Sequence, residues 1–420
     1  MIDVSILRNS PEVLATSLQR RGVSLDINAL AELDQKRRQV RSVAEDLRAE
    51  QKEAGKSIAR LVGDEKAAAI SRVAEVAEAY KQALAEADEL DAAFEAQWVT
   101  VPNLVDATAA DGFEEEDAVE LTRWGRPPDS SVALRDHVEL GEMHGFLDIE
   151  RAAKVSGSRF GYLLGPMVRL EFALVQYALD TLEPYGFVPV VTPVLVRSNA
   201  LYGTGFFPGD EEQVYSLPAD DLFLIGTSEV SLAAMHGDEI LDGASLPLRY
   251  VGFSTCFRRE SGTYGKDTRG IFRVHQFDKI EMFTFCKPED SVETHDFLLA
   301  REEELVQGLE IPYRVVNVAA GDLGSSAAKK YDIEAWFPGQ NRYREITSTS
   351  NTTDYQSRRL KIRYKSEKGN ELVHTLNGTA IAVGRWLIAL VENFQQADGS
   401  IVVPDVLRKY VTFDRIELPS

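Results

Sequence analysis

The stretch CFRRESGTYGKDTRGIFRVHQFDKIE, Cys256 to Glu281, places Arg258, Glu260, Arg273, His275, Lys279 and Glu281 in segments that otherwise read as β-strand. Successive strand side chains point to opposite faces. From Ile271 onward, one parity carries Arg273, His275, Phe277, Lys279 and Glu281. The other carries Phe272, Val274, Ile280 and Met282, with Gln276 and Asp278 between them. One face is thus largely a core face, and the other presents an aromatic ring flanked by cations, with a carboxylate at the far end. Phe277 and Glu281 stand about 13 Å apart along an extended strand. That span suits a ligand with a flat base at one end and an amine or hydroxyl at the other. The loop ESGTYGKDTRG is glycine-rich and holds Lys266 and Arg269, so it could close over phosphates. Taken alone, such a strand is equally a solvent-facing one with paired charges.

Two further stretches weigh toward chemistry. In YREITSTSN, Glu345, Thr347 and Thr349 share one parity and Ile346, Ser348 and Ser350 the other, which leaves almost no apolar side chain for packing. A strand that polar lines a wet site. In LNGTAIAVGRW, Arg385 opens the helical segment WLIALVENFQ, although a cation is disfavoured at a helix N-terminus. Together these stretches give an antiparallel sheet that turns two arginines, an aromatic ring and several carboxylates toward one cavity. The arginines would neutralise a triphosphate, and the acids would hold Mg²⁺ bridging its oxygens. The chain has no Walker-type loop, no dinucleotide-binding fingerprint and no His or Cys spacing suited to zinc.

The elements that must position these residues are legible in outline. The chain has 420 residues, 44% of them hydrophobic, enough for two domains. Its net charge of −21 argues against general affinity for polyanions or anionic membranes, while a local basic face could still bind nucleic acid. Two cysteines, Cys256 and Cys286, make a disulfide framework unexpected, and the N-terminal residues show no apolar leader. A cytoplasmic protein with no membrane partner is expected. From about Leu33 to Trp98 no proline occurs. One seam reads Val40, Ala44, Leu47, Gln51, Ala54, Ile58, Leu61; after VGDEK a second reads Val73, Val76, Tyr80, Ala83, Ala87, Leu90, Phe94. Heptad steps on two segments joined by a short turn predict an antiparallel coiled coil about 45 Å long. The first helix carries Arg37, Arg38, Arg41, Arg48, Lys52, Lys56 and Arg60, and the second is mostly acidic. These cations are either a solvated outer face or a basic stripe for a phosphate backbone. The acidic, proline-containing TVPNLVDATAADGFEEEDAVE reads as a linker. From about residue 121 onward, grouped strands point to α+β with an antiparallel sheet.

At these residues the sequence resembles the class II aminoacyl-tRNA synthetases and, among them, seryl-tRNA synthetases of the bacterial type. FRRESGTYGKDTRGIFRVHQFDKIE is similar to motif 2 of that class and LNGTAIAVGRWLIALVEN to motif 3. GPMVRLEFALVQYALDTLEPYGFVPVVTPVLVR resembles motif 1, with Pro193 in the proline position. GTSEV, AAKKYDIEAWFP and EITSTSNTTDYQSRR resemble stretches that mark the seryl branch. The resemblance covers essentially the whole chain. It implies an N-terminal tRNA-binding coiled-coil domain over 1–105 and a class II catalytic domain over 106–420.

The resemblance also implies roles. Arg258 would hold the α-phosphate and the serine carboxylate, with Arg259 and Glu260 beside it toward adenine. Phe277 would stack on adenine, and Arg385 would lie on the other face of the base or on the γ-phosphate. Glu345 and Ser348 would hold Mg²⁺, and Ile346 and Thr347 would belong to the ATP site. Thr227, Ser228 and Glu229 would receive the serine ammonium, and Glu281 and Thr379 its hydroxyl. Arg258, Glu281 and Arg385 would be the catalytic residues. Arg41, Arg48, Lys52 and Lys56 would meet the long variable arm of tRNA(Ser), and of tRNA(Sec) as well. Motif 1 implies a homodimer. The implied reaction is serine activation by ATP followed by transfer to tRNA. Ser228, Thr379 and TSTSN depart from commoner residues of the family, which leaves room for a specialised paralogue serving a biosynthetic or resistance pathway.

Overall fold

A computed structural model describes residues 1–128, 134–262, 265, 267 and 269–419. The chain divides into two compact units, one of Asp3–Gln19 with Val23–Val101 and one of Met1–Ile2, Arg20–Gly22 and Pro102–Ser420.

The first unit is helical. Helix α1 (Ile27–Ile58) starts earlier than the sequence suggests, because Asp26 caps it by accepting a hydrogen bond from the Ala29 amide at 2.9 Å. Helix α2 (Gly63–Trp98) absorbs most of the expected VGDEK turn, with Asp64 and Glu65 in its first turn, where the helix dipole favours acids. The cross-pairs Arg37–Asp91, Arg41–Asp88 and Arg72–Glu50 show that the helices run antiparallel. All fourteen seam positions named above are buried or half-buried. The heptad reading holds along both helices.

Asp34 is a charge at the base of this hairpin, its side chain only 1% exposed. Arg8 reaches it at 2.8 Å, Arg37 at 2.7 Å and Arg38 at 3.0 Å. Burial would raise the carboxyl, but hydrogen bonds from Arg8 and Arg37 outweigh it and bring it down to about 2. A carboxylate lowered in the folded state stabilises it above the ordinary value near 4, and that contribution is lost as pH falls from about 4 to 2. Asp34→Asn should therefore cost the helical unit about 1–3 kcal/mol at pH 7. The gap from wild type should shrink by pH 3. Urea midpoints at the two pH values, read by circular dichroism, test this, and an undiminished gap at pH 3 would overturn the electrostatic account.

The second unit is built on an eight-stranded sheet. In chain order its strands are β1 (Val119–Trp124), β2 (Val188–Val191), β3 (Leu248–Phe257), β4 (Gln276–Cys286), β5 (Tyr313–Asn317), β6 (Lys329–Phe337), β7 (Arg342–Asn351) and β8 (His374–Ala382). Their order across the sheet is β1-β5-β6-β7-β8-β4-β3-β2. Only β2 pairs in parallel, with β3, and the other pairings are antiparallel. This is the α+β architecture expected of the chain. Helices α3 (Pro166–Leu182), α4 (Ser291–Gly308) and α5 (Val383–Asn393) join the sheet in one core, where Leu174, Leu305 and Leu387 are fully buried with Met282, Ile333 and Leu376. Ile280 and Met282 of β4 face that core, as their parity requires. On the other parity Phe283 and Phe285 enter a second apolar cluster with Ile362 and Val373. The same face of β4 is therefore apolar where it is covered and charged only at Lys279 and Glu281, which border a cavity together with Phe277.

Candidate active site

Strand β4 begins at Gln276, so Ile271–His275 are not part of it, and the strict alternation read from Ile271 fails there. Phe272 and Val274 line the cavity together with Arg273, whereas His275 turns away to the Arg258 carbonyl and lies near the rings of Phe160 and Tyr215. From Phe277 the alternation holds. Phe277, Lys279 and Glu281 stand opposite Cys256, Ser254 and Gly252 of β3.

Strand β7 departs from plain alternation in a way that creates the site. Its pairing with β6 shifts at one point: Glu345 lies opposite Glu334, Thr347 opposite Ile333 and Ser348 opposite Asp332. The extra residue is Ile346, whose side chain drops into the core at 1% exposure. A bulge of this kind changes which face the following residues occupy. Glu345 and Ser348, on opposite parities in a regular strand, consequently both border the cavity, along with Ser350.

The cavity holds about 440 Å³ and also receives Thr227, Glu229, Arg258, Glu260, Thr379 and Arg385. Arg258 is fixed by its Nε donating to the Gly226 carbonyl at 3.1 Å, with its guanidinium 5.2 Å from the centre of the Phe277 ring. Arg385 donates to the Glu345 carbonyl at 3.0 Å and meets the Glu345 carboxylate at 3.3 Å, which gives this helix-terminal cation the counter-charge it lacks within α5. The guanidinium groups of Arg344 and Arg385 both lie against the Phe272 ring, at 3.9 and 4.8 Å from its centre. Glu345 is open to the cavity, 39% exposed. Desolvation would raise its carboxyl, but Arg385, Lys330 and Arg258 bring it down to about 2, so it is ionised at neutral pH.

Two buried acids, Glu281 and Glu229, also reach the cavity. Glu281 accepts from Asn377 Nδ2 at 3.0 Å and Thr379 Oγ1 at 3.1 Å, and it pairs with Lys279. A carboxylate offers about four acceptor positions, so one remains for a ligand donor. Glu229 accepts from Gln356 Nε2 at 2.7 Å. Burial, helped by the charge of Glu281, pushes the Glu229 carboxyl up to about 7.

Two sequence-named residues do not reach the cavity. Ser228 is fully buried, with its hydroxyl directed at the Gly252 carbonyl at 3.4 Å. Arg259 turns outward over Tyr215, 5.5 Å from the ring centre. Of the glycine-rich loop, Lys266 lies outside the described residues, and Arg269 pairs with Asp136 at 3.0 Å rather than lining the cavity. Sequence reasoning missed Lys330 and Asn377, which do line it. A signal for Lys330 existed: Lys330, Asp332 and Glu334 alternate with Tyr331, Ile333 and Ala335 along one strand. In the helical unit, Arg41 is tied across the hairpin to Asp88 and Asp91, and Lys56 pairs with Glu53, whereas Arg48 and Lys52 are exposed.

An antiparallel sheet carrying arginine, aromatic and acidic side chains into one cavity is the architecture of a class II aminoacyl-tRNA synthetase. The family model described as "tRNA synthetase class II core domain (G, H, P, S and T)" matches residues 215–394, and that described as "Seryl-tRNA synthetase N-terminal domain" matches 1–105. Serine–tRNA ligase of Acidothermus cellulolyticus is 54% identical over 415 residues, covering 99% of each chain, and that of Thermobifida fusca is 49% identical over 99% of this chain and 98% of its own. Among solved structures, seryl-tRNA synthetase from Pyrococcus horikoshii complexed with ATP superposes with a TM-score of 0.94 at 41% identity over the full length of both chains. The chain belongs to the seryl-tRNA synthetase family, and its enzymatic class is aminoacyl-tRNA ligase.

The Glu229 carboxyl gives a pH signature. An ammonium is held by the ionised form, so kcat/KM for an amino acid should fall about tenfold per pH unit once pH drops below about 7. Glu229→Gln should lose about 10²-fold or more in kcat/KM and abolish that acid limb. Pyrophosphate exchange measured between pH 5.5 and 8.5 checks both, and an unchanged acid limb in the variant would remove Glu229 from this role.

Proposed function

We propose that this cavity is where a serine–tRNA ligase forms seryl-adenylate from L-serine and ATP, before the seryl group passes to the 3′ end of tRNA(Ser). The observation that carries the reading is the company of side chains lining one cavity: the arginines Arg258 and Arg385, the Phe277 ring and the buried acids Glu229 and Glu281. Phe277 provides a ring for the adenine, and Glu260 lies at the adenine end. Arg258 meets the α-phosphate and the serine carboxylate. Ile346 and Thr347 border the nucleotide, and Arg385 lies against the base or the outer phosphates. Glu229 takes the ammonium, with Thr227 beside it. The serine hydroxyl donates to the remaining acceptor position of Glu281, next to Thr379.

The donor set suits Mg²⁺. The β7 bulge places one ionised carboxylate, Glu345, and one hydroxyl, Ser348, on the same face, and these two oxygen donors would hold a hard cation that would supply charge neutralisation for the phosphates. No group of three or more His, Cys, Asp or Glu among the described residues forms a metal cluster, which fits an ion that arrives with the triphosphate.

The serine carboxylate attacks the α-phosphorus in line and pyrophosphate leaves. A ribose hydroxyl at the tRNA terminus then attacks the adenylate carbonyl and AMP leaves. Neither step requires a protein nucleophile, and catalysis rests on alignment and charge neutralisation. Alanine would leave the polar groups around Glu281 unpaired, at a cost of roughly 10⁴ in selectivity. Near-full-length identity of 49–54% to serine–tRNA ligases supports this activity over that of a specialised paralogue.

The tRNA reading of the arm rests on Arg48, Lys52 and Lys56, because Arg41 is occupied by acids of α2. tRNA(Sec) falls within the same proposal as a further acceptor. A homodimer is supported by Phe172 of α3 and by Val188 and Val191 of the edge strand β2, apolar side chains left exposed. Both cysteines are buried free thiols, in keeping with a cytoplasmic setting. No helix among the described residues is long and apolar enough to cross a membrane.

ATP–pyrophosphate exchange with each amino acid in turn tests the activity. Serine alone should support exchange, and Arg258→Ala or Arg385→Ala should lower it about 10³-fold with an unchanged circular dichroism spectrum. Exchange with a different amino acid, or near-normal rates in either variant, would overturn the assignment. Replacing Arg48, Lys52 and Lys56 with Glu should raise KM for tRNA about tenfold or more and leave serine-dependent exchange unchanged. Sedimentation should show a two-chain species; an unaltered KM for tRNA or a monomer would remove the respective partner.

A further inference from the structure

Glu302 of α4 is fully buried beneath the sheet, and neither of its carboxyl oxygens makes a well-formed hydrogen bond to a described residue. Its place in the sheet is specific. The backbone pairing of β7 with β8 covers Thr349–Gly378, Ser350–Asn377 and Asn351–Leu376 and stops there. Past that point the strands are joined by a side chain: Thr347 Oγ1 donates to the Thr379 carbonyl. Glu302 lies below this split. A Cβ at Gly378 would come 2.8 Å from its Oε1, and the hydroxyl it faces is that of Thr347.

The charged groups around it disfavour a second anion. Strand β4 contributes Glu281, whose cation Lys279 is paired with Glu281 itself. Strand β6 contributes Asp332 and Lys330, which pair with each other at 3.0 Å. Burial, then Glu281 and Asp332, hold the Glu302 carboxyl well above the ordinary range. An unpaired buried carboxylate is costly, whereas the neutral acid has a proton to donate. Thr347 has already directed its own proton at Thr379, so toward Glu302 it can only accept.

We propose that Glu302, as the neutral acid, is a positioning residue for the serine end of the site. Its proton goes to Thr347 Oγ1, which donates in turn to the Thr379 carbonyl, and this chain fixes Thr379 where its own hydroxyl reaches Glu281 at 3.1 Å. The inference rests on the assignment of Glu281 and Thr379 to the serine hydroxyl.

The test uses the full-length protein, with serine-dependent and ATP-dependent exchange rates for Glu302→Gln and Glu302→Ala. Glu302→Gln retains a donor of similar size, and its KM for serine should stay within about threefold of wild type. Glu302→Ala should raise KM for serine about tenfold or more with KM for ATP changed by less than about threefold. Stability gives a readout independent of activity. In the unfolded chain the carboxyl ionises near 4.5, while in the folded chain it stays neutral to much higher pH, so wild type loses stability relative to Glu302→Gln as pH rises from 5 to 9. The difference in Tm should grow in favour of Glu302→Gln over that range. Equal losses in both variants at every pH, a pH-independent Tm difference, or matched rises in both KM values would overturn the proposal. If the alanine variant does not fold, the Tm comparison decides. If wild type shows no serine-dependent exchange, the serine assignment fails, and the Tm comparison still tests the neutral donor.

Discussion

The site depends on an interruption in a sheet. Beyond Thr349, the side of β7 that would face β8 has no ladder, and buried backbone groups cannot stand unpaired without cost. Helix α5 and one threonine supply the missing partners. Arg385 donates to the Glu345 carbonyl, Trp386 Nε1 donates to the Ile346 carbonyl at 3.3 Å, and Thr347 bridges to the Thr379 carbonyl. The same contacts that repair the ladder set the position of the Arg385 guanidinium beside Glu345. Opening the sheet and fixing a cavity-lining cation are therefore one structural event, and Arg385 has a structural reason to be arginine. A lysine, with a compact ammonium in place of a planar fork, would not reproduce the contact to the carbonyl and the carboxylate together.

Two carboxylates of the cavity are tuned in opposite directions. Glu345 is surrounded by Arg385, Lys330 and Arg258 and stays ionised. Glu229 feels burial and the charge of Glu281, which outweigh Gln356, Lys279 and Arg258 and bring its carboxyl up to about 7. A cation placed beside it would favour the ionised form. Under the proposed assignment, the substrate ammonium is that cation.

Much of this was legible in the sequence, because the signals were periodic. The seams of α1 and α2 repeat every seven residues, and every seam residue named from that repeat is covered. The charged parity of β4 marked Phe277, Lys279 and Glu281 correctly, since a strand must alternate. What stayed hidden were departures from period. Ile346 looked like one of a pair of faces, yet it is the extra residue of a bulge, and only the pairing with β6 reveals that it brings Glu345 and Ser348 together. Ser228 lies between two residues that reach the cavity but faces Gly252, because the short helix starting at Glu229 rotates each successive side chain about the axis. His275 and Arg259 fall in segments that are no longer strand, where parity carries no information.

The arm shows the same limit in electrostatic form. The cations along this segment look alike in sequence, and the fold sorts them. Arg37 and Arg38 converge with Arg8 on the buried Asp34, and Arg41 is bound by Asp88 and Asp91 of the opposite helix. These arginines hold the hairpin together and present little net charge to solution. Farther along α1 toward the turn, Arg48 and Lys52 are exposed, and Lys56 has only a neighbour on its own helix, a pairing of small worth in water. In a chain of net charge −21, any attraction for a polyanion would have to be local, and under the proposed tRNA reading this sorting leaves Arg48, Lys52 and Lys56 in the distal half of α1 to supply it. The acidic second helix is then more than a solvated face: its Asp88 and Asp91 neutralise the proximal arginines Arg37 and Arg41.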